Sequence, residues 1–193
     1  MNQQNKVSAV VLAGGQSRRM QQDKGLMLFK QKPLVSYAIQ AALTVTDEVK
    51  ISANRHLDQY LQWDLPVIQD ADAEFNGPLA GILAAMSATQ RPMLLVLPCD
   101  SPLLTGQVAE RLINGLTDQI DIAVAFDGER YHPVFLALKT KLRPSLQAYL
   151  DSGERRLQNW LFSQIYVAVD FSDQPQLFTN LNTPEQLQAL ELD

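Results

Sequence analysis

Histidine and cysteine are scarce in this chain, which has two of the first and one of the second among 193 residues. One thiol cannot close an internal disulfide, and two imidazoles argue against a histidine-built metal site. Long apolar runs are missing as well. Met93–Leu97, closed by Pro98-Cys99, falls far short of the ~18 residues that cross a bilayer, so no membrane segment is expected. The first residues, Met1-Asn2-Gln3-Gln4-Asn5-Lys6, have neither the basic start nor the apolar run of a secretory signal, which reads as a cytoplasmic protein. Blocks of Lys and Arg are also absent: 16 basic residues stand against 21 acidic ones, for a formal net charge of −5. Without a basic footprint, nucleic acid is not an expected partner, although a local basic loop can still hold a phosphate. No internal repeat, low-complexity tract or Ser/Gly linker marks a boundary. What is present, 46% hydrophobic and 19% charged residues spread along the whole length, is the balance of one folded domain with a full core.

Strand-like and helix-like stretches alternate, which predicts an α/β sandwich with a mostly parallel sheet. The first strand is Val7–Ala13, broken off at Gly14-Gly15. The next helical pattern begins at Pro33, a favoured first helical position, leaving a loop of almost twenty residues between. Further strands are expected at Glu48–Ala53, Pro66–Gln69, Met93–Leu97, Ile120–Phe126, Pro133–Leu138 and Ile165–Val169. Helices are expected at Leu34–Leu43, Leu57–Gln62, Pro78–Ala88, Gly106–Leu116, Lys141–Leu150 and Leu157–Phe162. A last helix is signalled by Thr183-Pro184-Glu185-Gln186, an N-cap Thr with Pro in the first turn and Gln three residues on.

Ligands of such sheets bind outside the carboxyl ends of the strands, and the polar residues of this chain gather there. After the first strand comes Gly14-Gly15-Gln16-Ser17-Arg18-Arg19, with Lys24 beyond. Two glycines let backbone amides approach a polyanion while Arg18, Arg19 and Lys24 supply charge, the outline of a triphosphate cradle. It lacks the Gly-Lys-Ser/Thr close of a P-loop and the third glycine of a dinucleotide fingerprint, and a tight strand exit with two solvated arginines reads the same locally. In Pro98-Cys99-Asp100-Ser101-Pro102 a carboxylate ends a buried strand between two prolines. A hard oxygen ligand there suits Mg²⁺ with substrate phosphates; an aspartate that only caps a turn is the other reading. Cys99 reads as a small buried hydrophobe without a role. Asp70, at another strand end, suits a ribose or the metal region, and Gly77-Pro78 opens a helix whose amides face a base or a phosphate, or are simply capped. Asn54-Arg55-His56 offers amide and cation groups at the same rim. His56 and His132 read as surface or loop histidines.

These residues carry a resemblance. Leu12-Ala13-Gly14-Gly15-x-Ser17-x-Arg19-Met20 with Asp23-Lys24, then Gly77-Pro78-Leu79-Ala80-Gly81 and Pro98-Cys99-Asp100-Ser101-Pro102, resemble the molybdenum cofactor guanylyltransferase family. The likeness continues through Asp127-Gly128-Glu129-Arg130-x-His132-Pro133, Gly153-Glu154-Arg155-Arg156 and Asn180-Leu181-Asn182-Thr183-Pro184, and so spans essentially the whole chain. It implies a three-layer α/β/α sandwich of Rossmann-like nucleotidyltransferase fold, with an N-terminal half that binds nucleotide and a C-terminal half that binds pterin. It also implies an enzyme that uses GTP and Mg²⁺ to attach GMP to molybdopterin, releasing pyrophosphate, and that meets molybdoenzyme acceptors and cofactor-delivery proteins in transient contacts.

By resemblance, Leu12, Ala13, Gly14 and Gly15 form the nucleotide-binding loop, and Lys24 is the phosphate-binding lysine. Asp70 and Gly77 contact nucleotide, Asp100 binds metal and nucleotide, and Arg19 is expected near the departing pyrophosphate. Arg155, Arg156, Asn180 and Asn182 resemble the segments that face the pterin, although a solvated loop and a helix cap explain them nearly as well. Ser52 stands where some members carry a nucleotide-contacting asparagine, and Gln21 where glycine is usual after Arg-Met. Two alternatives stay open: a relative that uses CTP or makes a nucleotide sugar, and a non-catalytic carrier of the cofactor. Leu-Ala-Gly-Gly is closer to the guanylyl branch than the Leu-Ala-Ala-Gly more often seen in cytidylyl relatives.

Overall fold

Strands and helices alternate along the chain in a computed structural model that describes residues 3–13, 23–70 and 77–181. In chain order they are β1 (Val7–Leu12), β2 (Leu28–Phe29), β3 (Lys32–Pro33), α1 (Leu34–Leu43), β4 (Val49–Ser52), α2 (Leu57–Tyr60), β5 (Val67–Ile68) and α3 (Pro78–Ser87). There follow β6 (Met93–Pro98), α4 (Gly106–Asn114), β7 (Ile122–Phe126), β8 (Tyr131–Lys139), α5 (Arg143–Asp151), α6 (Leu157–Phe162) and β9 (Tyr166–Asp170). Seven strands form one sheet in the order β5-β4-β1-β6-β8-β7-β9. All run parallel to their neighbours except β8, which is antiparallel to β6 and β7. The three-layer α/β/α sandwich with a mostly parallel sheet is therefore observed.

Both faces of the sheet are covered, as continuous apolar strands require. Ala9, Val11, Ile51, Leu95 and Leu97 pack with Val35, Ala38 and Ala42 of α1 and Val108 and Leu112 of α4. The alternate residues Val10, Leu94, Val96, Val124 and Leu136 meet Leu79 and Ile82 of α3, Leu146 and Leu150 of α5, and Trp160 of α6. Each such side chain removed from water stabilises the fold by ~1.5–3 kcal/mol before the cost of ordering it. Among the described residues no helix is long and apolar enough to cross a membrane.

The structure departs from the sequence expectations in detail. Within the loop expected between Gly14 and Pro33 lies a hairpin, β2 with β3, turning through Lys30 and Gln31 at φ of +47° and +63°. Such a two-residue turn favours Asn-Gly or Asp-Gly, so Lys-Gln gave no signal of it. Pro33, expected at the first helical position, is instead the residue before α1 and belongs to β3, while α1 itself spans the expected Leu34–Leu43. The helix expected at Leu57–Gln62 is α-helical only to Tyr60 and tightens into a 3₁₀ turn over Leu61–Trp63. The helix signalled by Thr183-Pro184 lies outside the described residues.

Candidate active site

The carboxyl ends of β1, β4, β5 and β6 share one edge of the sheet and are tied together past their last paired residues. Ala13 N donates to Ser52 O at 2.8 Å, Ala53 N to Ile68 O at 3.0 Å, and Cys99 N to Leu12 O at 3.2 Å. Adjacent strand exits are thus held in register at the point where the chain leaves the sheet. Helix α3 starts at the same edge with Pro78 in its first turn. It lies so close that a Cβ on Gly81 would stand 2.6 Å from Ser52 Oγ and 3.0 Å from Leu12 Cδ2. Any larger residue there would have to displace the Ser52 hydroxyl and the Leu12 methyl. Ser52 is buried, with its hydroxyl turned against α3.

At the end of β6, Asp100 Oδ2 lies 3.5 Å from Lys24 Nζ. Burial pushes the Asp100 carboxyl above its ordinary value, and the attraction of Lys24 opposes this only in part. Lys24 sits in a single 3₁₀ turn, Lys24–Leu26, whose preceding residue, Asp23, caps it by accepting from Gly25 N at 3.1 Å. The loop after β6 also gathers the far end of the described chain. Asp100 O accepts from Leu181 N at 2.9 Å, and Ser101 Oγ donates to Asn180 Oδ1 at 2.7 Å. Two residues remote in sequence, Asp100 and Asn180, therefore meet at one rim. Cys99 is buried, as expected of a small hydrophobe, and burial pushes its thiol far up.

Asp70 follows β5 and is gripped by Asn54 through two bonds, Asn54 Nδ2 to Asp70 Oδ2 at 2.8 Å and Asp70 N to Asn54 Oδ1 at 3.0 Å. Among the described residues Asp70 Oδ1 is buried with no hydrogen-bond partner. Burial raises the Asp70 carboxyl, against the lowering effect of Asn54. A carboxylate oxygen held in this way is an acceptor in want of a donor.

The antiparallel half of the rim holds a second cluster. His132 on β8 is buried, with Nε2 2.6 Å from Asp127 Oδ2, and its ring stacks on Phe178 at 4.5 Å between centroids. The expectation of a surface or loop histidine is corrected here: the β8 strand begins at Tyr131 and carries His132 under Phe178, which no local pattern announces. His56 is an exposed loop residue, as expected.

The two arginines expected near the pterin, Arg155 and Arg156, lie between α5 and α6. Arg155 Nη1 donates to the carbonyls of Leu150 and Glu154, each at 2.8 Å, closing the end of α5. Arg156 is exposed at the start of α6, and its carbonyl accepts from Tyr149 Oη at 3.0 Å. Gly77 is the exposed residue before α3. Gly14, Gly15, Arg18, Arg19, Gln21 and Asn182 lie outside the described residues. Sequence reasoning missed Tyr60, whose partner stands 37 positions away, and quoted Asp23 within a motif without giving it a role, although the Asp-x-Gly spacing marks a capped turn.

Residues 9–168 match the MobA-like NTP transferase domain. The chain is 45% identical over 186 residues to the molybdenum cofactor guanylyltransferase of Shewanella halifaxensis, covering 95% of this chain and 93% of that protein. It is 45% identical to that of Shewanella sediminis, with 95% of each chain covered. In structure it is similar to molybdopterin-guanine dinucleotide biosynthesis protein A from Archaeoglobus fulgidus, with a TM-score of 0.80 and 20% identity over 96% of this chain and 97% of that one. At that identity the structural likeness speaks for the fold alone.

Proposed function

This chain belongs to the MobA-like NTP transferase family, among the molybdenum cofactor guanylyltransferases, and from that premise we propose how its rim carries out the transfer. The enzyme moves GMP from GTP to molybdopterin, forming the guanine dinucleotide cofactor and pyrophosphate. The observation that carries the site assignment is the Lys24–Asp100 pair at the end of β6, to which the Asn180 segment is fastened.

A phosphate oxygen of molybdopterin attacks the α-phosphorus of GTP. The new P–O bond forms as the bond from that phosphorus to the α,β-bridging oxygen breaks, and the electron pair leaves with pyrophosphate. A phosphate nucleophile is already ionised at neutral pH, so no side chain has to accept a proton. The work of the site is positioning and neutralisation of charge. Lys24, the Gly14-Gly15 amides with Leu12 and Ala13, and Arg19 hold the triphosphate and its leaving group. Asp70 Oδ1 accepts a hydroxyl of the nucleotide. Asn180, Asn182, Arg155 and Arg156 face the pterin, so the N-terminal half binds nucleotide and the C-terminal half its acceptor.

The donors present suit Mg²⁺. Asp100 is a hard oxygen donor, and burial leaves its charge only partly compensated by Lys24. Mg²⁺ takes one or two carboxylates and completes its shell with water and phosphate oxygens, so one aspartate at this rim is an adequate protein share. When bound, it supplies neutralisation of phosphate charge.

Thermal unfolding with Mg²⁺ and each of GTP and CTP tests the reading. Ligand at 100 times its Kd stabilises the native state by ~2.7 kcal/mol. Stabilisation by GTP, removed by a chelator, is expected. A shift for CTP alone moves the chain to cytidylyl transfer, and no shift for GTP even with molybdopterin present overturns the proposal.

A further inference from the structure

Lys24 is carried on a turn of only three residues, too short to hold its own shape, so something else must fix it. The capping residue Asp23 does part of this: one carboxylate oxygen, Oδ1, accepts both from Gly25 N at 3.1 Å and from Tyr60 Oη at 2.6 Å. Tyr60 closes α2, on the far side of α1 and β4 in sequence, and is fully buried. Its ring tilts against Trp63 at 5.9 Å between centroids. Gly25 lies directly against the hydroxyl, since a Cβ at that position would run into Tyr60 Oη and come within 3.5 Å of Cys99 Sγ. The turn is thereby seated between Tyr60 and the residue that precedes Asp100. The hydroxyl stays protonated across the useful pH range, because burial, the neighbouring Cys99 and Asp23 all push it far up, so it donates at all times.

We propose that Tyr60 is a positioning residue for guanylyl transfer, holding Lys24 at its distance from Asp100 and the triphosphate through the Asp23 carboxylate and the glycine turn. The inference rests on the role given to Lys24 above. Tyr60 touches no substrate; it acts through its one hydrogen bond to Asp23, the residue before the lysine, whose same oxygen accepts from Gly25 N. A long, flexible ammonium stem gains most from such seating, because a displacement of ~1 Å in a charge-neutralising group costs up to ~10²-fold in rate.

The test is a kinetic cycle of wild type, Tyr60→Phe, Lys24→Ala and the double variant, with pyrophosphate release followed under saturating GTP, molybdopterin and Mg²⁺. Tyr60→Phe keeps the ring and removes only the donor. It is expected to lower kcat by ~10-fold or more while KM for molybdopterin changes less than ~2-fold. In the Lys24→Ala background the same substitution should change nothing further, since its effect passes through the lysine. Equal losses in both backgrounds, or unchanged kcat in Tyr60→Phe, overturn the proposal. Full turnover in Lys24→Ala overturns the role of the lysine itself, and the positioning with it. Should Tyr60→Phe fail to fold, Asp23→Asn enters the same cycle, where loss of kcat confined to the Lys24 background again decides.

Discussion

Lys24 Nζ stands 3.5 Å from Asp100 Oδ2, with the two side chains 25% and 19% exposed. A pair this far from bulk water loses hydration that its mutual attraction does not fully restore, and the raised Asp100 carboxyl records the deficit. The free site is thus arranged for an incoming polyanion and cation and not for its own stability.

Asp100→Asn follows from that imbalance. The change keeps the shape and removes the under-compensated charge, so the ligand-free protein should become more stable by ~0.5–2 kcal/mol while turnover falls. Denaturant unfolding without Mg²⁺ measures it. A less stable variant would mean that the Lys24 attraction outweighs burial after all.

Asn54→Ala should weaken nucleotide binding with little effect on the chemical step. Both bonds that orient Asp70 are lost, and Asp70 Oδ1, which has no partner among the described residues, is no longer aimed. One misdirected charged hydrogen bond amounts to ~1.5 kcal/mol, so KM for GTP should rise ~10-fold with kcat nearly unchanged. An equal fall in kcat would place Asp70 in the transfer step.

Asp127 makes stability depend on acid. Burial acts to raise its carboxyl, but the Arg130 amide, His132 and the Glu129 amide overcome this and hold it well below the ordinary range. A carboxylate whose value is lower folded than unfolded contributes stability that is complete above its unfolded value of ~3.9 and is lost progressively as pH falls from there through the lowered folded value. Unfolding free energy should therefore decline below about pH 4. Asp127→Asn should flatten that decline and cost about 1–3 kcal/mol at neutral pH. An unchanged acid slope would assign it to other carboxylates.

Much of this architecture is readable from the chain, for identifiable reasons. β1 and β6 are apolar runs because they are covered on both faces, and Gly77-Pro78 announces α3 because proline suits a first turn. Lys24 and Asp100 follow strand exits, where the sheet leaves room for ligands. What escaped reading depends on contacts between distant residues. The β2–β3 hairpin turns on Lys30-Gln31, residues that rarely take positive φ, and tertiary packing of Phe29 with Leu34 and Leu181 holds it. Tyr60 had no local mark, and His132 is buried among residues that include the distant Phe178, which comes back over it.

Pyrophosphate release by wild type and Lys24→Ala, with GTP, Mg²⁺ and molybdopterin, tests the central claim most directly. GTP-dependent release by the wild type and a loss of ~10²–10³-fold in the variant are predicted, the scale set by one preorganised donor to developing charge. Lys24→Ala turning over within about twofold of wild type would contradict the account, because the pair it forms with Asp100 would then have no part in the transfer.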